Sequence, residues 1–238
     1  METVFPLWNP VTLPVSGSDK RFPVRRVFCV GRNYAEHARE MGHDPDRDPP
    51  FFFIKPADSI AQNGAAIAYP PLTQSLHHEV ELAAAIGSDA RDLTPDAAEA
   101  AVFGYAVAID LTRRDLQAEA KSLSRPWEVG KTFDGSAPCG SIHPVGRAGH
   151  PRAGAISLQV NQETRQQGDL AQMIWSVPEV VSRLSQLFGL KAGDLIFTGT
   201  PSGVGAVEPG DRLHASIEGL SHLAVSIAAP AQGQGSGP

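Results

Sequence analysis

The sequence predicts a strand-rich fold with few helices, and three observations carry that expectation. Glycine and proline supply 23 and 20 of the 238 residues, about 18% where ~12% is usual, so many turns must punctuate short elements. Apolar runs such as "VFCVG" and "GYAVAID" are continuous yet too short for a typical helix, the mark of buried strands. The clearest helical period lies in one stretch, "SVPEVVSRLSQLFGL".

With 42% hydrophobic and 19% charged residues, the chain has the composition of an ordinary globular protein with one sizeable core. A net charge of -6 and no basic run leave nothing to neutralise phosphates, so neither nucleic acid nor an anionic membrane is expected as a partner, and a small molecule is. Cys29 and Cys139 form no CxxC pair and no disulfide-dense pattern. The amino terminus "METVFPLWNPVTLP" lacks a basic region followed by an apolar run, and no segment approaches the ~20 apolar residues of a membrane span. A cytoplasmic protein is the expectation.

In chain order, the proline-punctuated stretch up to about Arg26 reads as a strand-and-loop segment packing on the main body. "VFCVG" (Val27 to Gly31) is a buried strand. "RNYAEHARE" is compatible with a helix, and the Asp- and Pro-rich Gly42 to Pro50 is a loop polar enough to serve as a lid hinge. "FFFIKP" follows as a strand. In "LHHEVELAAAIG" (Leu76 to Gly87), a strand turns Val80, Leu82 and Ala84 one way and Glu79 and Glu81 the other. "GYAVAID" is a strand ending on the carboxylate of Asp110, and "TRRDLQAEAKSL" is a helix opened by Arg113 and Arg114. The later helix is capped by Ser176, with Glu179 completing a capping box and Val180, Val181, Leu184, Leu187 and Phe188 forming its core stripe. Beyond Leu190, short apolar runs alternate with Gly, Pro and Asp as strands joined by tight turns, and the tail "AQGQGSGP" has nothing to bury.

Several chemistries fail on spacing. "HHEVEL" has Leu82 where a zinc-protease helix needs its second His, the serine elbow G-x-S-x-G is absent, and "GTPSGVG" lacks the Lys of a phosphate loop. Cys29 reads as a small buried hydrophobe. Cys139, in "SAPCGS", has a context open to exposure, with nothing nearby to activate it.

Acidic residues remain. Glu79 and Glu81 leave one face of a strand with Cα atoms about 6.5 Å apart, so two carboxylates can converge on one cation. The competing reading is a solvated outer face. Asp110 weighs against it, because three carboxylates without Cys or a convincing His suit a hard, oxygen-preferring ion such as Mg2+ better than zinc. His37 and Glu40, three apart, share a helical face on which the Glu can orient the His as a general base, although a surface helix with a casual His and Glu has the same spacing. Lys131, in "RPWEVGKTFDGSAPCG", would beside such a cation receive negative charge developing on oxygen.

"FCVGRNYAEHARE", "FFFIKP", "LHHEVELA", "AIDLTRRDLQ", "VGKTFD" and "GDLIFTGTPSGVG", in this order, resemble the fumarylacetoacetate hydrolase family and its smaller acylpyruvate-hydrolase branch, from about Val24 to Ile227. The resemblance implies a mixed β-sandwich roll of the α+β class, a homodimer, and Mg2+ or Mn2+ in the site. By motif position it implies Glu79, Glu81 and Asp110 as metal ligands, His37 and Glu40 as a catalytic dyad, Lys131 as catalytic lysine, and Arg114, Gln117 and Thr200 as substrate contacts. The organisation it suggests is an amino-terminal extension (1–23), a catalytic domain (24–229) and a disordered tail (230–238). "RPWEVGKTFD", "SAPCGSIHP" and "QMIWSVPEVVSRLSQLFGL" most resemble the fumarylpyruvate hydrolases of gentisate-type aromatic degradation, which split a 1,3-diketo acid into fumarate and pyruvate. Two alternatives stay open: an oxaloacetate decarboxylase, tautomerase or keto-acid hydratase or isomerase on the same scaffold, and a non-catalytic keto-acid-binding protein.

Overall fold

The computed structural model describes residues 3–40 and 49–231, except for the side chains of His37, Ala38 and Glu40. Strands dominate it, and they alternate strictly between two cores. Leu82, Ala84 and Ile86 of strand Val80–Ile86, Tyr105, Val107 and Ile109 of strand Val102–Ile109, and Phe28 and Val30 of strand Arg26–Gly31 all enter one cluster. Their intervening neighbours Ala83, Ala85, Ala106, Ala108, Val27 and Cys29 enter the other. Side chains alternate across a pleated strand, so a run that is apolar at every position needs cover on both faces.

Cover on the first face comes from a second sheet and a helix. The large sheet has eight strands, a seven-strand path plus the short His143–Pro144 strand, and it mixes parallel and antiparallel pairs. A five-stranded sheet packs on it through Ile156, Leu158, Leu213, Ala215, Val225 and Ile227. The helix Val177–Leu187 adds Val180, Val181 and Leu184 to the same cluster. Its capping box is present, with the Glu179 carboxylate accepting from the Ser176 N–H at 2.9 Å and from its hydroxyl at 2.8 Å. The apolar stripe ends early, however. Leu187 is 54% and Phe188 37% exposed, because Phe188 leaves the helix in an extended conformation at its C-cap.

On the second face lies the hairpin of strands Thr12–Val15 and Ser18–Pro23, which contributes Leu13, Val15 and Phe22. The four alanines of the large sheet leave room for it to approach closely. The same core contains Cys139, which is fully buried rather than exposed, since strand Ala137–Cys139 pairs into the large sheet. Burial pushes its thiol up to about 12. The architecture is the α+β mixed roll that the family resemblance implies. Residues 42–48 of the expected lid hinge and 232–238 of the expected tail lie outside the described residues. Among the described residues no helix is long and apolar enough to cross a membrane.

Candidate active site

Strand register assembles the carboxylates. Val80 stands opposite Ile109 and Glu81 opposite Ala108, and the Asp110 N–H donates to the Glu79 carbonyl at 2.8 Å, which carries the antiparallel ladder one step further. Directly opposed residues share a face, so Glu79, Glu81 and Asp110 extend the alanine face of the sheet past the end of its core. Glu79 sits at the break between strands Leu76–His78 and Val80–Ile86. All three are buried, with relative exposures of 5%, 2% and 1%, and one oxygen from each lies within 4.8 Å of the others. The solvated-face reading of the glutamates is thereby excluded.

Uncompensated, three buried carboxylates would repel each other strongly. Lys131, at the end of the one-turn helix Glu128–Lys131, spends all three ammonium donors here, on Glu79 Oε2 (2.8 Å), Asp110 Oδ2 (2.7 Å) and Thr112 Oγ1 (2.8 Å). Burial alone would lower its pKa, but the charges of Asp110 and Glu79 outweigh that and hold it raised. Arg114 forks between Glu79 Oε1 and Gln117 Oε1, the latter at 2.7 Å. Glu81 has the least compensation. Its carboxylate accepts from the Gly199 N–H at 2.7 Å, and burial followed by the charges of Asp110 and Glu79 raises its pKa well above the usual carboxylate range.

The Gly199 contact depends on glycine. Its φ of 96° is left-handed, and a Cβ there would stand 2.7 Å from that of Asn33. Asn33, fully buried, ties this loop to the segment after strand Arg26–Gly31 by donating to the carbonyls of Thr198 and Trp175, each at 2.8 Å, and accepting from the Trp175 N–H at 2.7 Å. Thr200, two residues from Thr198, is held by a partner from the other sheet. The Gln166 amide oxygen accepts from the Val80 N–H at 2.9 Å, which fixes its amide nitrogen as the donor to Thr200 Oγ1 at 2.8 Å.

One cavity is lined by Glu79, Glu81, Asp110, Lys131 and Thr200, and also by Arg114 and Gln117 on helix Arg114–Ser122. That helix begins at Arg114, after a two-residue strand Thr112–Arg113. Seven of the nine residues anticipated from sequence therefore meet in one place. The other two, His37 and Glu40, belong to helix Ala35–Glu40, but their side chains lie outside the described residues.

Three contributors stand outside those nine residues. Lys55 is fully buried in strand Phe51–Pro56, reaches the Lys131 and Leu111 carbonyls, and stands 2.9 Å from Asp110 Oδ1. Its signal was a lysine two residues from Phe53 inside an apolar run, on the same strand face. Asn33 and Gln166 carry no local signal, since their partners, Thr198 and Trp175 for the one and Val80 and Thr200 for the other, are distant in sequence.

The residues present fit a hard divalent cation. The donors are all oxygens, and they are buried and convergent. Asp110 Oδ1, although close enough to Lys55 for ion pairing, has no aligned hydrogen-bond donor, and Glu81 has too little compensation to ionise readily. A bound cation would satisfy both.

A family model described as fumarylacetoacetate (FAA) hydrolase C-terminal matches residues 26–228. Among solved structures, the chain is similar to fumarylpyruvate hydrolase from Pseudomonas aeruginosa in complex with Mn2+ and pyruvate, at 54% identity over 96% of this chain and 100% of that one, with a TM-score of 0.94. It is similar as well to 5-carboxymethyl-2-hydroxymuconate delta-isomerase from Mycobacterium smegmatis, at 29% identity over 94% of this chain and 83% of that one, with a TM-score of 0.80. Oxaloacetate tautomerase YcgM of Escherichia coli is 43% identical over 201 residues, 84% of this chain and 91% of its own length.

Proposed function

The chain belongs to the fumarylacetoacetate hydrolase family, and from that premise we propose that it hydrolyses a carbon–carbon bond in an acylpyruvate, with fumarylpyruvate, cleaved to fumarate and pyruvate in gentisate-type aromatic degradation, as its substrate. The observation that carries this reading is the buried Glu79–Glu81–Asp110 triad in one cavity with Lys131, in a chain 54% identical to a fumarylpyruvate hydrolase whose structure holds Mn2+ and pyruvate.

Glu79, Glu81 and Asp110 would hold Mn2+ or Mg2+. When bound, such a cation would supply a Lewis acid that favours negative charge on the α-keto acid end of the substrate. His37, oriented by Glu40, takes a proton from the water that attacks the far carbonyl. Lys131, turning the N–H it now gives to Thr112 Oγ1, donates to the oxyanion formed there. Collapse of that adduct breaks the carbon–carbon bond. The electron pair passes to the pyruvate half, which takes up a proton, and the acyl half leaves as a carboxylate. Arg114, Gln117 and Thr200 orient the substrate. Gln166 already donates to Thr200 Oγ1, so the Thr200 proton is available to an acceptor in the cavity.

A homodimer is part of the proposal. Val4, Phe5, Leu7 and Trp8 are 72% to 91% exposed, an apolar segment suited to cover by a second copy. Two buried, unpaired cysteines accord with a cytoplasmic setting.

The test is a panel of fumarylpyruvate, acetylpyruvate and oxaloacetate with purified protein and Mn2+, following diketone absorbance and pyruvate release. Fumarylpyruvate should disappear with equimolar pyruvate, and chelation should stop it. Oxaloacetate tautomerisation is the second reading, favoured by the 43% identity to the E. coli tautomerase. Diketones that persist while oxaloacetate tautomerises would establish it instead.

A further inference from the structure

The cavity has a second wall of different chemistry. Phe51 and Phe53 share a face of strand Phe51–Pro56, and Trp127 packs edge-on to Phe51, with centroids 5.1 Å apart, and 6.2 Å from Phe53. A cation lies over each ring: Arg32 at 5.4 Å from the Phe51 centroid, Lys121 at 4.8 Å from Trp127 and Lys131 at 5.1 Å from Phe53. Lys131 is committed to the carboxylates. Lys121 has no carboxylate within ion-pairing distance among the described residues, although it is half-buried and lines the cavity together with Arg32, Phe53 and Trp127.

Its position along the helix is informative. Arg114, Gln117 and Lys121 fall on one face of helix Arg114–Ser122, at the i, i+3 and i+7 spacing. Arg114 binds Glu79 at the triad end, and a rise of 1.5 Å per residue sets Lys121 about 10 Å further along the axis. Arg32, which lines the same cavity, has a left-handed backbone with φ 59°, a conformation that costs a non-glycine residue energy and clusters at functional sites. Burial, with repulsion from Arg114, Arg32 and Lys131, brings Lys121 down to about 8. An anion beside it would relieve that repulsion.

We propose that Lys121, flanked by Arg32, is the carboxylate subsite for the acyl end of the substrate, and that the Phe53–Trp127 wall holds the unsaturated chain between this subsite and the triad. This rests on the acylpyruvate reading and narrows it to acyl groups ending in a carboxylate.

Lys121→Met in the full chain tests the assignment, with fumarylpyruvate and acetylpyruvate compared as substrates that share the pyruvate half and differ in the distal carboxylate. Loss of a charge-assisted contact should lower kcat/KM for fumarylpyruvate ~10- to 100-fold, mostly through KM. Acetylpyruvate should stay within about twofold, and Lys121→Arg should recover most of the loss. Equal losses on both substrates, or none on fumarylpyruvate, overturn the subsite. Calorimetric titration of the Mn2+-loaded protein with fumarate tests it independently of turnover, because affinity should fall by a similar factor in Lys121→Met. Unchanged or undetectable fumarate binding by the wild type overturns it as well. Wild-type protein that binds fumarate through Lys121 yet cleaves no acylpyruvate would overturn the proposed reaction and leave the subsite standing.

Discussion

Asp110 lies between two ammonium groups, with Lys55 Nζ 2.9 Å from one carboxylate oxygen and Lys131 Nζ 2.7 Å from the other. Removing one member of a buried ion network leaves the others uncompensated, at a cost of roughly 3–5 kcal/mol. Asp110→Ala should therefore lower stability by about that amount in urea unfolding, and it should also abolish Mn2+ binding as read from the electron paramagnetic resonance of the free ion. Lys131→Met acts differently. It takes away a positive charge and no oxygen ligand, so Mn2+ binding should persist while kcat falls ~10²- to 10³-fold, the scale of a lost oxyanion donor. A Lys131→Met protein that binds no Mn2+ would mean that the lysine builds the metal site rather than serving the reaction.

Among elements, the strand Glu163–Asp169 shows how the second sheet reaches into the first. Gln166, fully buried at its middle, satisfies the Val80 N–H beside both glutamates and the Thr200 hydroxyl across the cavity. Gln166→Leu keeps the volume and leaves a buried backbone donor unpaired, a loss of about 1–3 kcal/mol. The urea midpoint should fall with an unchanged slope, and KM should rise with the loss of Thr200 orientation. A lower midpoint with unaltered KM would confine Gln166 to structure. Strand Arg26–Gly31 makes a comparable demand, because a Cβ on Gly31 would lie 2.0 Å from the Phe51 ring that carries Arg32 on its face. Glycine there lets the aromatic wall close on the strand.

Across the whole molecule, the triad sits where the core of the eight-stranded sheet ends, so metal affinity and global stability are linked. A ligand that binds only the folded state at 100 times its Kd adds about 2.7 kcal/mol. For a chain of this size that is a Tm increase of roughly 5–10 °C. Mn2+ should produce such a shift in the wild type, a chelator should reverse it, and Asp110→Ala should show none. A wild-type Tm indifferent to Mn2+ would sink the metal assignment.

Much of this was legible in the residues themselves. "VFCVG" and "GYAVAID" marked the two-faced strands because burial on both sides leaves no polar alternation, and Glu79, Glu81 and Asp110 stood out because carboxylates interrupt or end such runs. Local spacing put Glu79 and Glu81 on one face. It could not set Glu79 against Asp110, because that depends on the register of two strands, and register is a property of pairing rather than of either segment. Asn33 and Gln166 are invisible in sequence for the same reason, Lys55 shows only as a lysine in an apolar run whose carboxylate partner is distant in sequence, and the burial of Cys139 and the exposure of Leu187 are decided by what the rest of the chain lays over them. Side-chain chemistry and its periodicity determined which groups this protein would bring to a site. Long-range packing decided which carboxylate each of the site's cations meets, and among the described residues left Lys121 without one.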